Sequence, residues 1–203
     1  MIVLENMQRI ERKLHARIAT VLERGKSLLL LGPRQTGKTT LISSYKADFE
    51  VTLLISKIRR QYEADPDQLI QEVEALSAQN GRLPLVVIDE VQKVPALMDS
   101  IQYLIDRGSA QFILTGSSAR KLRHNTNVNF LPGRLIQLRL DPLALEELAS
   151  PSLDELLTYG SLPAIHTEKV SAHKEEELDS YVDLYIEEEV RAGESCAAQR
   201  PER

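Results

Sequence analysis

Apolar residues recur along this chain in two alternating rhythms. Met7, Ile10, Leu14, Ile18, Val21 and Leu22 return at helical spacing, and Gly25 closes that first predicted helix. Leu28–Leu31 is an unbroken apolar run, short enough for a buried strand. A glycine-rich segment separates it from a predicted helix over Gly37 to Lys46, followed by a short strand, VTLLI, at Val51–Ile55. In DPDQLIQEVEALSAQNG, Asp65 is placed to cap, Pro66 suits the first helical position, and Leu69, Val73 and Leu76 form a stripe. Asn80-Gly81 ends that helix. PLVVIDE reads as a buried strand; Leu97, Ile101, Leu104 and Ile105 stripe the next helix, which Gly108 stops. QFILTG at Gln111–Gly116 and RLIQLRL at Arg134–Leu140 supply two more strands, giving five. Strands alternating with helices predict an α/β fold in three layers, because parallel neighbours need crossover connections that cover both faces of the sheet.

After Pro142 the strand signals stop and only helical stripes remain: Leu143, Leu145 and Leu148; Leu153, Leu156 and Leu157; then Leu178, Tyr181, Val182, Tyr185 and Ile186. The expected organisation is an α/β core at 1–141, a small helical lid at 142–191 and an unstructured tail at 192–203. The acidic runs KEEE from Lys174 and EEE from Glu187 fit the solvated face of the last helix.

Composition narrows the class. With 203 residues, 42% hydrophobic and 27% charged, the chain is sized for one substantial core with an appendage. No apolar run reaches the roughly 18 residues of a membrane helix, and MIVLENMQRIERK lacks the build of a signal peptide, so the expectation is a cytoplasmic protein with no membrane partner. The single cysteine, Cys196, excludes an internal disulfide, and His15, His124, His166 and His173 lack metal-ligand spacing. A net charge of −5 gives no global sign of nucleic-acid binding and leaves a local basic patch open.

The chemistry begins where the first strand ends. Gly32, Gly37, Lys38 and Thr39 satisfy G-x-x-x-x-G-K-[ST], with Pro33, Arg34, Gln35 and Thr36 between the glycines and Thr40 following. In such a loop backbone N–H groups wrap a phosphate chain that bulky side chains would block. The helix opening after Gly37 turns its amide dipoles toward the same anion, Lys38 reaches the β- and γ-phosphates, and the Thr39 hydroxyl is a ligand for Mg²⁺.

A triphosphate site also needs a carboxylate for its metal. LVVIDE delivers Asp89 at the carboxyl end of a strand, where open sheets bind ligands, and Asp89 is read as holding the Mg²⁺ shell. Glu90 is then available to polarise a water for attack on the γ-phosphate, so the adjacent acids point to hydrolysis rather than transfer. In FILTGSS, Thr115 or Ser117 is read as a sensor hydroxyl between metal carboxylate and γ-phosphate; satisfying a turn is the alternative. Arg134, after a Pro-Gly turn, is read as stabilising γ-phosphate charge in a neighbouring subunit of a homo-oligomer, with Arg120 and Arg123 as competitors and a surface ion pair as the bland account.

Together GPRQTGKTTL, LVVIDEVQKVP, FILTGSS, LPGRLIQLRLDPLALEEL and YGSLPAI resemble the bacterial and archaeal AAA-type ATPases whose longer members carry a C-terminal domain of unknown function. The resemblance runs from the first helix to Arg191. It implies an additional-strand AAA-like core, ATP and Mg²⁺ as cofactors, Lys38, Thr39, Asp89 and Glu90 as the site, and Arg134 as the arginine of a Gly-Arg motif. It further implies that GSLPAI lies over the base, with Gly160 and Pro163 near adenine, a structural turn being an equally good account. TLLISKIRRQ lacks the acidic cluster common after the second strand of relatives, and the family's C-terminal domain is absent, so the chain reads as the ATPase part of a longer protein or as a shortened copy. Two functional classes remain: an ATPase driving a conformational change, or a slow ATP-binding switch and interaction module. A phosphotransferase lacks a marked acceptor pocket, and a GTPase lacks N-K-x-D.

Overall fold

A computed structural model describes residues 10–117, 131–148 and 152–197. The elements in chain order are α1 (Leu14–Glu23), β1 (Ser27–Leu31), α2 (Lys38–Ile42), β2 (Phe49–Thr52), α3 (Ser56–Ala64), α4 (Gln68–Asn80) and β3 (Leu85–Asp89). A 3₁₀ turn (Val91–Lys93), α5 (Leu97–Asp106), β4 (Gln111–Gly116) and β5 (Leu135–Arg139) follow. Beyond them come a second 3₁₀ turn (Leu145–Glu147), α6 (Leu153–Tyr159), α7 (Pro163–Thr167) and α8 (Ser171–Ala197).

All five strands are parallel, in the order β2-β3-β4-β1-β5, as the alternation of strands and helices predicts. Successive leucines of β1 face opposite sides of the sheet. Leu28 and Leu30 pack with Ile18 and Val21 of α1, Leu41 and Ile42 of α2, Ile113 and Leu138. Leu29 and Leu31 pack with Tyr62 of α3, Leu69 and Val73 of α4, Leu97, Ile101 and Leu104 of α5, Ile88, Phe112 and Leu114. Both faces of β1 are sealed, and each leucine so buried contributes about 1.5–3 kcal/mol relative to exposure. This is the physical reason for four apolar residues in a row where a one-sided sheet would alternate.

The chain divides into two compact units: residues 12–33 with 37–141, which hold the sheet, and residues 10–11 and 34–36 with the helices from Pro142 onward. In the helical unit Ser152 caps α6 by accepting the Glu155 N–H at 3.4 Å, and Pro163 opens α7 at a position that needs no N–H donor. Ile165 is buried, and Lys174 pairs with Glu155 at 3.3 Å beside the Tyr159 ring.

Several boundaries differ from expectation. α1 begins at Leu14 rather than earlier: residues 10–12 are non-helical, and the Arg12 guanidinium donates to Asp141 O at 2.7 Å instead. Met7 lies outside the described residues, as do Arg120, Arg123 and His124. α2 stops at Ile42, short of Lys46, because Ser43 and Ser44 turn their hydroxyls onto Thr40 O and Leu41 O and compete with the helical ladder. β2 ends at Thr52, and α3, absent from the sequence reading, follows; Ile58 and Tyr62 sit four residues apart on its inner face. Asp65 ends α3 rather than capping α4, which starts at Gln68. Leu145–Glu147 is a single 3₁₀ turn. The tail expected to be unstructured from residue 192 is helical as far as Ala197: it continues the helix that began at Ser171, Ala192, Glu194 and Ala197 are compatible with helix, and the one glycine, Gly193, costs only about 1 kcal/mol.

Candidate functional site

The strand order assembles the site. β4 lies between β1 and β3, and parallel pairing brings their carboxyl ends to one edge of the sheet. The register Leu30↔Thr115 and Ile88↔Leu114 sets Asp89, one residue on, level with Thr115. Asp89, with only 6% of its surface exposed, is held by both oxygens: Oδ2 accepts from the Thr39 hydroxyl at 3.3 Å, and Oδ1 accepts from the Thr115 hydroxyl. Thr115 in turn accepts the Glu90 N–H at 3.0 Å. One hydroxyl thereby fixes the carboxylate of Asp89 and the main chain of its neighbour. Thr115 is fully buried, so these bonds form in a low-dielectric setting that strengthens them.

The phosphate-loop residues lie between β1 and α2. Gly37 has φ +87° and Gln35 φ +61°; left-handed backbone at both curls the loop, the kind of reversal that gathers N–H groups into one concavity. A Cβ at Gly37 would meet nothing closer than 3.8 Å, the Arg12 guanidinium, so glycine is required by its φ and not by space. Lys38 is buried and donates its Nζ to Gly32 O at 2.9 Å and Pro33 O at 2.8 Å, which folds its charge back over the loop. Thr36 is fully buried, whereas Arg34, Gln35, Thr39 and Thr40 are exposed.

Glu90 adopts φ +60°, ψ +47°, a left-handed conformation costing a side chain roughly 1–2 kcal/mol. The strain turns the chain sharply out of β3, so Asp89 and Glu90 leave the strand in different directions. The Glu90 carboxylate accepts through Oε2 from the Gln92 side-chain amide, whose same nitrogen contacts Ser117 Oγ at 3.1 Å. Gln92 is a participant that the sequence reading missed, and a lone glutamine in a turn carries no motif by which to find it. Its Oε1 is buried without a hydrogen-bond partner among the described residues, an arrangement that costs about 1–3 kcal/mol.

The structure thus brings together Gly32, Pro33, Lys38, Thr39, Asp89, Glu90, Thr115 and Ser117. Arg134 is engaged elsewhere: it precedes β5 and donates from Nε and Nη2 to the two carboxylate oxygens of Asp106 at 2.5 and 2.9 Å. That bond draws the Asp106 carboxyl below its ordinary range and raises the guanidinium. Of the segment expected over the base, Gly160 caps α6 with φ +71° and Pro163 opens α7. Ala164 lines a cavity of about 760 Å³ together with Arg34, Gln35, His173, Glu177 and Tyr181, and the Tyr181 hydroxyl donates to Arg34 O at 3.5 Å.

The donor set suits Mg²⁺ bound with a nucleotide. A hydroxyl and a carboxylate are hard oxygen ligands, and Mg²⁺ takes one or two of these plus phosphate oxygens and water. Among the described residues no cluster of three His, Cys, Asp or Glu exists that would hold a metal unaided. Among the described residues no helix is long and apolar enough to cross a membrane.

Comparison with known proteins bears on the family and the fold. The model of a family described as an AAA domain matches residues 24–149. Uncharacterised proteins of Mycobacterium bovis and Mycobacterium tuberculosis are each 30% identical over 182 residues, covering 86% of this chain. The chain spans 38% of the length of these curated relatives. Among solved structures, the Walker-type ATPase PABY2304 of Pyrococcus abyssi shares the fold, with a TM-score of 0.55 and 16% identity over 78% of this chain and 65% of its own.

Proposed function

The chain belongs to the AAA domain family, and from that premise we propose that it is an ATPase that binds ATP with Mg²⁺ and hydrolyses it to drive a conformational change. The observation that carries this reading is the doubly held carboxylate of Asp89, one oxygen on Thr39 of the phosphate loop and the other on Thr115 of the central strand. With its proton donated to Asp89, the Thr39 hydroxyl keeps its lone pairs for a cation. Thr39 and Asp89 would hold magnesium bound with the triphosphate, and the ion would neutralise phosphate charge there.

The protein's own part is to bind, orient and accept a proton. Lys38 exchanges its contacts with two carbonyls for phosphate oxygens, a stronger, charge-assisted pairing. Glu90 accepts a proton from the water that attacks the γ-phosphorus, and the bond to the β–γ bridging oxygen breaks as the new P–O bond forms. Thr115 and Ser117 act as sensors through their contacts with Asp89 and Gln92. Arg34, Gln35, Thr36 and Thr40 contribute loop contacts, and Pro163 remains a candidate neighbour of adenine.

A slow-switch reading has one observation in its favour: Arg134 is bound within its own chain to Asp106, so a role on a neighbouring subunit's γ-phosphate requires that pair to open. The decisive experiment is Glu90→Gln. ATP affinity should stay within about threefold of wild type, while phosphate release falls by about 10²- to 10⁴-fold, the usual worth of a general base. Equal phosphate release from both proteins would reject hydrolysis by this site.

A further inference from the structure

Gln92 stands at the middle of the turn that follows β3, flanked by Val91 and Val94, both sealed in the core. Lys93 N–H closes the turn on Glu90 O at 2.9 Å, and Val94 N–H reaches Val91 O at 3.1 Å. The base of the Gln92 side chain is therefore fixed. Its amide nitrogen bridges Glu90 Oε2 and Ser117 Oγ, thereby linking the proposed base just after β3 to the hydroxyl beyond the end of β4. The amide orientation follows from charge: a carboxylate attracts the NH₂ end and repels the carbonyl, which leaves Oε1 on the buried side without a partner.

We propose that Gln92 is the positioning residue for Glu90, transmitting the state of Ser117 to the orientation of that carboxylate; the inference rests on the hydrolytic reading of Glu90. Two features support this. The Glu90 main chain is held by its N–H on Thr115 Oγ1, so the side chain has one further restraint to receive, and Gln92 provides it. Among the described residues the amide is retained by its two nitrogen contacts, so a shift of Ser117 relaxes the contact to Glu90 without breaking a bond to the Gln92 carbonyl. A hydrogen-bonded support on a rigid turn is what precise placement of a proton acceptor requires.

The test is steady-state ATP hydrolysis by the full chain with Gln92→Ala and the isosteric Gln92→Glu, which cannot donate. Both should lower kcat by about 10- to 100-fold, the scale for a misplaced catalytic group, and leave the ATP dissociation constant within about twofold. Ser117→Ala should lower kcat less, and Gln92→Ala combined with Ser117→Ala should be no worse than Gln92→Ala alone, because the two act in one chain of contacts. Wild-type turnover in Gln92→Ala, or a loss of affinity matching the loss of kcat, would overturn the assignment. Should the wild-type chain release no phosphate, the hydrolytic reading itself fails. The link is then read from the Gln92 side-chain NH₂ resonances in ¹⁵N-edited NMR. They should move in Glu90→Ala and in Ser117→Ala, and resonances unmoved by either substitution would overturn it.

Discussion

In the sheet unit every leucine of β1 is sealed from solvent, whereas in the helical unit Leu153 and Leu157, four residues apart on α6, remain 69% and 77% exposed. Val182 and Leu184 on α8 are exposed as well. These exposed side chains gain little from folding, and apolar burial in the helical unit falls instead to Leu143, Leu148, Leu162 and Ile165. The residues of the proposed site, Lys38, Thr39, Asp89, Glu90 and Thr115, all belong to the sealed unit. They lie at or just beyond the ends of strands whose positions are fixed by packing on both faces.

Substitutions can break this contrast. The largest effect on stability is expected from Phe112→Ala, which empties a fully buried site in β4. It should cost about 3–5 kcal/mol in urea unfolding, against a change within about 0.5 kcal/mol for Leu157→Ala. Similar losses from the two would mean that α6 is buried in solution and that the contrast is wrong.

A smaller effect separates acid sensitivity by location. Asp48 and Leu85 join the starts of β2 and β3 reciprocally: Asp48 N–H donates to Leu85 O at 2.8 Å, and the Asp48 carboxylate accepts the Leu85 N–H at 2.9 Å. That backbone bond, aided by Arg82, holds the Asp48 carboxyl below its ordinary value of 3.8 despite the opposing effect of burial. A depressed folded-state pKa contributes stability above the unfolded value and loses it as pH falls through the folded one. Stability of the wild type should therefore decline below about pH 4, and Asp48→Asn should flatten that part of a pH series of urea midpoints. An unchanged slope would remove the strand link from the account.

The smallest expected change in stability is at the sheet unit's surface. Asp106→Asn removes the partner of Arg134 and should leave the urea midpoint where it is, since exposed ion pairs contribute little. If Arg134 serves a neighbouring subunit, the freed guanidinium should make turnover per chain rise with protein concentration. Turnover independent of concentration in both proteins would argue that Arg134 is only a surface partner.

Legibility from sequence follows the same division. That Thr39 and Asp89 would meet was legible, because a phosphate-loop pattern fixes residue types at fixed spacing within one stretch, from Gly32 to Thr39, and an apolar strand ending in a carboxylate is likewise a local pattern. The strand alternation gave the parallel sheet, although which strand lies beside which is a tertiary matter that local periodicity does not encode. α3 escaped because Leu53–Ile55 prolongs the apolar run past the last paired residue of β2, masking the onset of helix at Ser56. Gln92 escaped because its importance lies in two contacts, one of them with Ser117, 25 residues away. The Arg134–Asp106 pair spans 28 residues and is equally silent in the sequence.

The order of the strands in the sheet also sets a timetable for synthesis. β1 emerges first yet lies between β4 and β5, and its Ser27 hydroxyl accepts the N–H of Phe112 from 85 residues further along. Until the ribosome has released that distant stretch, a run of four leucines waits with both edges open, a template for mispairing with other nascent chains. Closing the sheet around its earliest strand makes folding slow and dependent on the whole core being present, so truncations that stop before Arg139 should be recovered as aggregates.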